Sequence, residues 1–349
     1  MGASRLGMTT NLVTNYGEER SGQLIDDHLL ANNVTVINAG NLTTGQMTLT
    51  VDTGGSAVHR LDSSPGVSIA TLPALAAIED STHVHTGSMA TSLEPGSTAV
   101  YSLLAGARSH ATISFDPNCL PGLTPKVGDA RAKVEKFVRI SDIVKASSED
   151  LSWLHPQMSL ETAARQWQRM GAAIVIVTRG HESPVICTDK TIIRLRTASN
   201  PLPDSVGAED CFMAGLVAGL YQLELLGAPA RKGLRVLSSD TLFGLAAYAH
   251  RAAAVACSRP GVTPWTHGTR QPAAAGACDE ISTLNSVPSP AKAVMASGIH
   301  TTLSCDPQRR STAAHRPASL SRHGTSHCCL PVPPHLEPYG PSARYDFFL

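Results

Sequence analysis

Short apolar, β-branched runs alternate with stretches of helical periodicity between residues 80 and 180. Such runs are typical of buried strands, and apolar residues spaced three and four apart are typical of helices packed on one face. Strands that alternate with helices favour an α/β protein with a doubly wound, mainly parallel sheet. The predicted strands cover 83–87, 111–115, 142–144 and 173–177, and the predicted helices cover 95–108, 133–140 and 161–170.

Polar clusters follow three of these predicted strands, at 116–118, 145–150 and 178–180. In open α/β sheets, ligands bind beyond the carboxyl ends of the strands. Because those ends meet at one edge of a parallel sheet, we expect the three clusters to come together. The sequence therefore predicts a ligand site at this edge.

The first sixty residues predict smaller elements. A helix is expected over 21–31, and strands are expected over 10–14, 34–37 and 47–51. The run Gly54–His59 lies between alternating residues, which favours a hairpin with a glycine turn. This region predicts a small β lid attached to the main sheet.

The stretch from Asp204 to Gly215 joins a loop to an apolar helix that continues to residue 220. The first amide N–H groups of such a helix lack intrahelical partners, and together with the helix dipole they favour an anion. Asp210 falls in the first turn, where a carboxylate could take a proton from a hydroxyl lying over that anion. The alternative is that Asp210 merely caps the helix. A second alanine-rich helix is predicted over 241–256.

His83 and His85 alternate on one predicted strand, so their side chains share a face. Two histidines at that spacing could bind a metal ion, but no third ligand is evident nearby in the sequence. A structural role is therefore the favoured interpretation.

The segment from residue 267 to 349 differs in composition from the rest. It holds six of the fourteen histidines and ten of the twenty-three prolines, and its apolar periodicity is lost. Such a segment buries too little apolar surface to offset the entropy of ordering, so we expect a disordered tail. Cys328 and Cys329 lie close to His323 and His327, but their spacing matches no metal-ligand pattern, which favours a chance cluster.

Charge and composition narrow the classes of partner. The chain has 28 basic and 28 acidic residues, so nothing in its charge favours nucleic acid or an anionic membrane as a partner. No apolar run reaches the ~18–20 residues that span a bilayer. The eight cysteines form no C-x-x-C pair, which suits reduced thiols in a cytoplasmic protein.

The stretch 204–215 resembles the second signature of the PfkB (ribokinase-like) sugar kinases, D-[ST]-x-G-A-G-D-x-F-x-A-G, and within that family it is most similar to bacterial fructokinases. The resemblance implies ATP-dependent phosphorylation of a sugar hydroxyl. It implies an anion hole at Gly207, Ala208, Glu209 and Asp210, with Asp210 as the catalytic base. Glu209 stands where the family has glycine.

The clusters at the strand ends also resemble the fructokinase pattern. Asp116-Pro117-Asn118 is similar to the D-P-N-x-R-P loop, with Leu120 in place of the arginine, and implies that Asp116 and Asn118 contact the sugar. The stretch 144–151 is similar to the N-x-x-E element, with Ser147 and Asp150 at the Asn and Glu positions. Glu149 takes the place of Asp150 if the register slips by one. A helix cap with first-turn acids explains the same stretch without a ligand. Nucleotide-binding residues implied by the resemblance are Thr178, Gly180, Ser147, Asp150 and Lys145.

The same resemblance implies ATP with Mg²⁺ as cofactors, and a monovalent cation such as K⁺ held by Asp204 and the Val206 carbonyl. It covers residues 1–266, with the lid remnant at about 33–60, and leaves open whether two lids pair in a homodimer. The family's first signature, Gly-Gly-Ser-x-x-Asn, is expected upstream of Met1, so we expect a domain that lacks its first strand and first motif.

Glu209 and Leu120 are departures from the family pattern, and both act against catalysis. A carboxylate near the phosphates repels them, and a β-carbon strains backbone geometry that glycine adopts freely. Two hypotheses follow from the sequence: an active fructokinase-like enzyme, or a catalytically impaired or non-catalytic binding protein with the same fold.

Overall fold

The computed structural model describes residues 1–38, 42–51, 57–63, 72–124, 126–180, 182–194, 207–257 and 343–348. Asp204 and Val206, predicted to hold a cation, lie outside these residues, as does the histidine and cysteine cluster at 323–329. The strands are β1 (Thr10–Thr14), β2 (Val34–Asn38), β3 (Gln46–Val51), β4 (Ala57–Ser63), β5 (His83–Gly87), β6 (Thr112–Asp116), β7 (Ile143–Ser147), β8 (Ile174–Arg179), β9 (Glu182–Thr188), β10 (Ile192–Arg194) and β11 (Ala343–Phe348). The helices are α1 (Gly2–Arg5), α2 (Arg20–Leu30), α3 (Leu72–Glu79), α4 (Met89–Ser92), α5 (Gly96–Ala107), α6 (Val127–Val138), α7 (Ser148–Leu154), α8 (Leu160–Met170), α9 (Ala208–Gln222), α10 (Arg231–Arg235) and α11 (Ser239–Cys257), with a 3₁₀ turn at Ala228–Ala230.

The main sheet has six strands in the order β10-β9-β8-β7-β6-β5. The four strands from β5 to β8 are parallel, and β9 and β10 add an antiparallel edge. This arrangement confirms the predicted mainly parallel sheet. Every predicted strand between residues 80 and 180 begins and ends within three residues of an observed one.

Helices cover both faces of this sheet, as the doubly wound prediction requires. One face packs α3, α5, α6, α7 and α8 over apolar strand residues that include Phe115 and Val175. The other face packs α1, α9 and α11 over Ile143, Ile174 and Ile176. Neighbouring residues of one strand belong to different cores because successive side chains point to opposite faces of the sheet.

Close contact with α11 fixes the position of α9. A β-carbon at Gly215 would lie 2.9 Å from the α-carbon of Ala249, and one at Gly219 would lie 2.8 Å from a methyl group of Leu245. The two glycines therefore let the helix axes approach, and α9 is held with its first turn at the carboxyl edge of the sheet.

Two smaller sheets lie outside the main one. Strands β1 and β2 pair in parallel, and β3 and β4 form the predicted antiparallel hairpin, whose turn at 52–56 is outside the described residues. Strand β11 pairs antiparallel with β3, which corrects the expectation that the whole tail lacks regular structure. Its aromatic composition, Ala-Arg-Tyr-Asp-Phe-Phe, suits a strand. Within the described residues, no helix has the length and apolar character needed to cross a membrane.

Candidate active site

The predicted polar clusters come together at the carboxyl edge of the main sheet. Ser147 at the end of β7 is in register with Thr178 on β8, and Gly87 on β5 is in register with Asp116 on β6. Lys145 then joins β7 to β6 through its side chain. The convergence that the strand-helix alternation predicted is therefore confirmed.

Lys145 is fully buried and lies between two carboxylates. Its Nζ donates to Oδ2 of Asp116 at 2.8 Å and also contacts Oε2 of Glu209. Burial disfavours the charged ammonium, but the two carboxylates outweigh burial and raise the pKa of Lys145. The lysine is consequently a fixed cation at the centre of the site.

Asp116 carries an unsatisfied acceptor. Its Oδ1 is buried and has no hydrogen-bond partner among the described residues. Burial, together with the charges of Asp150 and Glu209, raises the pKa of Asp116 to about 7, although Lys145 acts in the opposite direction. A buried acceptor without a donor is uncommon in a folded protein and indicates a position for a donor from a ligand or water.

Glu209 connects the two sides of the site. Besides contacting Lys145, it accepts a hydrogen bond from Oγ1 of Thr178 through Oε1 at 2.9 Å. Its side chain remains 42% exposed. The carboxylate that was expected to repel phosphate is thus paired with a lysine and a threonine.

Asp210 lies beside Glu209 in the first turn of α9. Gly207, the residue before the helix, has φ of 75°, a left-handed conformation that glycine adopts without strain. The Asp210 side chain is exposed and makes no hydrogen bond with a described residue, so the helix-cap interpretation is not supported.

Asp150 and Ser147 form a capping box at the start of α7. The Asp150 N–H donates to Oγ of Ser147 at 3.0 Å, and the Ser147 N–H donates to Oδ2 of Asp150 at 3.1 Å. The Cys119 N–H donates to Oδ1 of Asp150 at 2.7 Å. Burial raises the pKa of Asp150 against the effect of these hydrogen bonds. The structural interpretation of this stretch is confirmed, and the same box ties the 116–120 loop to α7.

Asn118 and Gly180 occupy the loops that follow β6 and β8. Asn118 is exposed with φ of 39°, and Gly180 is exposed with φ of 58°. Asparagine and glycine are the residues that most readily adopt this conformation. Both loops therefore turn sharply and border the site.

Sequence reasoning missed the contact between Glu209 and Lys145, which joins residues 64 positions apart. It also treated His83 and His85 only as metal ligands or structural residues. In the part of the chain that the structure describes, no group of three or more His, Cys, Asp or Glu side chains is placed to hold a metal ion.

Comparison with known proteins agrees with this architecture. A fructokinase of Rhizobium leguminosarum bv. trifolii is 29% identical over 233 residues, which is 64% of this chain and 69% of that protein. A fructokinase of Klebsiella pneumoniae is 27% identical over 230 residues, which is 63% of this chain and 74% of that protein.

Solved structures share the fold. A double mutant of Vibrio cholerae O395 fructokinase, bound to fructose, ADP and potassium ion, has a TM-score of 0.62 and 19% identity, covering 75% of this chain and 83% of its own. Xylella fastidiosa fructokinase with bound ATP has a TM-score of 0.63 and 18% identity over the same shares. The family model described as pfkB family carbohydrate kinase matches residues 1–267. The chain belongs to the pfkB family of carbohydrate kinases, enzymes that transfer a phosphoryl group from ATP to a sugar.

Proposed function

We propose that this chain phosphorylates a hydroxyl of a free hexose such as fructose, with ATP as donor and Asp210 as catalytic base. The observation that carries the proposal is the position of Asp210. It is an exposed carboxylate without a hydrogen-bond partner in the described chain, and it lies in the first turn of α9 next to the polar edge of the sheet.

In the proposed reaction the hydroxyl oxygen forms a bond to the γ-phosphorus as the bond to the β–γ bridging oxygen breaks, and ADP leaves. The hydroxyl proton passes to the Asp210 carboxylate, which acts as general base. The amide groups at residues 207–210 and the N-terminus of α9 face the charge that develops on the transferred group.

The remaining residues are divided between the two substrates. Asp116 and Asn118 are assigned to the sugar, and the unsatisfied Oδ1 of Asp116 supports this because a hydroxyl can supply the missing donor. The loops at Ser147–Asp150 and Thr178–Gly180 are assigned to the nucleotide together with Lys145. Lys145 would act as a fixed positive charge, because both of its observed contacts are to carboxylates.

Asp150 is the carboxylate that we assign to the nucleotide's Mg²⁺, since it is buried beside the proposed phosphate position. When bound, the ion would neutralise phosphate charge during transfer. A monovalent cation at Asp204 and Val206, and pairing of two chains through the lid at about 33–60, remain predictions from the resemblance.

The test is product analysis. The purified chain is incubated with Mg²⁺, ATP and each of a panel of hexoses, and the products are followed by phosphorus NMR. The proposal expects ADP and one sugar phosphate in equal amounts with at least one hexose. ATP consumption without a sugar phosphate, or no consumption with any hexose, would reject it.

Glu209 supports a second candidate, a catalytically impaired protein with the same fold. Its carboxylate already bonds Thr178 and Lys145, two of the groups assigned to the nucleotide. Under this candidate the parent shows little or no turnover and Glu209→Gly restores it. Equal turnover in the parent and in Glu209→Gly would exclude the impairment.

A further inference from the structure

A chain of buried hydrogen bonds runs across the first two strands of the parallel sheet, on the face that carries Asp116. The ring of His83 bonds Oγ1 of Thr112 through Nδ1 at 2.9 Å and Oγ of Ser114 through Nε2 at 2.8 Å. Nδ1 of His85 bonds the same Ser114 hydroxyl at 2.8 Å. Thus Ser114 lies between the two imidazoles.

Thr112 anchors this chain to the backbone. Its Oγ1 accepts a hydrogen bond from the Gly227 N–H at 3.1 Å and also lies 3.3 Å from the Thr82 carbonyl oxygen. The Thr112 hydroxyl hydrogen can point either to that carbonyl or to Nδ1 of His83, so the chain has two consistent bond directions.

In both directions the Ser114 hydroxyl is bonded to Nδ1 of His85. Burial lowers the pKa of both histidines to about 3, so both rings are neutral. Nε2 of His85 has no hydrogen-bond partner in the described part of the chain. It is therefore open to a ligand hydroxyl, as an acceptor when Nδ1 carries the proton and as a donor when Nε2 carries it.

Register places His85 on the same face of the sheet as Asp116, the residue assigned to the sugar. His85 pairs with Ser114 and Gly87 pairs with Asp116, so His85 lies two residues before the row of Asp116 on the same face. From the strand spacings, the α-carbons of His85 and Asp116 are about 8 Å apart. Gly87 puts no side chain between them, and a β-carbon there would lie 2.1 Å from the Asp116 carbonyl oxygen.

Two polar atoms on this face thus lack a hydrogen-bond partner among the described residues: Oδ1 of Asp116, which is buried, and Nε2 of His85, whose residue is 8% exposed. We propose that His85 is a sugar-binding residue, and that Nε2 of His85 and Oδ1 of Asp116 each form a hydrogen bond with a non-reacting hydroxyl of the phosphoryl acceptor. Thr112, His83 and Ser114 are positioning residues that hold the His85 ring. This inference rests on the proposed function for the identity of the ligand as a sugar.

Binding of D-fructose and its monodeoxy analogues, measured by titration calorimetry without ATP, tests the proposal. His85→Phe keeps an aromatic ring and removes the hydrogen-bonding nitrogens, and should weaken fructose binding about tenfold. One deoxy analogue should bind the parent about tenfold more weakly than fructose, yet lose little further affinity in His85→Phe because their shared hydrogen bond is already absent.

Thr86→Val is the matched control. Thr86 is the neighbouring residue on β5, it points to the opposite face, and its buried hydroxyl has no hydrogen-bond partner among the described residues. Thr86→Val should bind fructose as the parent does. If thermal unfolding shows that His85→Phe does not fold, Ser114→Ala replaces it, since loss of that hydroxyl releases the His85 ring and should weaken fructose binding severalfold.

Unchanged fructose affinity in folded His85→Phe or Ser114→Ala would overturn the proposal. It would also be overturned if the parent bound no fructose, or if no monodeoxy analogue bound more weakly than fructose. Failure of the proposed function is a separate result, because it would appear as fructose binding without turnover of ATP.

Discussion

Glutamine at position 209 should tighten the binding of ATP about tenfold. Glu209→Gln keeps the length of the side chain but removes the carboxylate charge that now contacts Thr178 and Lys145. Two effects act in the same direction: a negative group near the proposed phosphate position is lost, and the Lys145 ammonium is released from one of its two carboxylates.

The magnitude follows from the contacts. A phosphate oxygen that accepted from the Thr178 hydroxyl would lie roughly 5 Å from the Glu209 carboxylate, as two acceptors around one donor do. At an effective dielectric constant of about 20, the repulsion at that distance is about 3 kcal/mol per unit charge. Because 42% of the Glu209 side chain is exposed, solvent and salt screening reduce this to about 1.4 kcal/mol, a factor of ten.

Titration calorimetry with Mg²⁺ and ATP at low and high salt measures this effect without requiring turnover. Glu161→Gln is the matched control, because it removes an equal charge from a surface ion pair with Arg194. That variant should bind ATP as the parent does, and the difference for Glu209→Gln should shrink as salt increases.

Equal or weaker ATP binding by Glu209→Gln would refute this reasoning. It would mean that the Glu209 carboxylate orients Lys145 and Thr178 for the nucleotide instead of competing with it. An equal gain in Glu161→Gln would show that the effect reflects net charge alone.

Two further predictions concern the buried charges. Lys145→Met should lower the free energy of unfolding by about 3 kcal/mol, because Asp116 and Glu209 lose their cation. Urea unfolding measures this loss. The control is Lys133→Met, which removes an exposed ion pair with Glu94 and should lower the free energy of unfolding by under ~1 kcal/mol. The folded-state pKa of Asp116 is about 7, above its unfolded value, so its protonation stabilises the fold at low pH and this contribution is lost as pH rises through 7. From pH 7 to 5, the parent should therefore gain about 2 kcal/mol relative to Asp116→Asn, and parallel pH profiles of urea unfolding would contradict this.

Local pattern was sufficient for the central sheet but not for its antiparallel edge. The apolar runs ending at Lys145 and Thr178 have no ambiguity of period, and parallel strands are buried on both faces. The hairpin formed by β9 and β10 carries mixed polar and apolar residues, so its sequence gave no comparable signal. Strand β11 was missed because its surrounding composition predicts disorder, whereas its pairing with β3 depends on a contact across nearly three hundred residues.

In the candidate site too, some features follow from local sequence and others depend on contacts between residues distant in sequence. Its members could be named from motif spacing and from the ends of strands, because both are local properties. The partner of Glu209 could not, since only the folded sheet shows that Lys145 is buried within reach of α9. Likewise, the hydrogen bonds that hold the His85 ring extend through Thr112 to Gly227, two residues that are distant in sequence.

The central claim, that Asp210 is the base in sugar phosphorylation, is tested most directly by hexose-dependent ADP formation in the parent and in Asp210→Asn. The variant changes one exposed carboxylate to an amide, so folding and ATP affinity should be retained while a proton acceptor is lost. We predict that turnover with the preferred hexose falls at least a hundredfold. Turnover within a few-fold of the parent, with ATP bound equally well, would contradict the account.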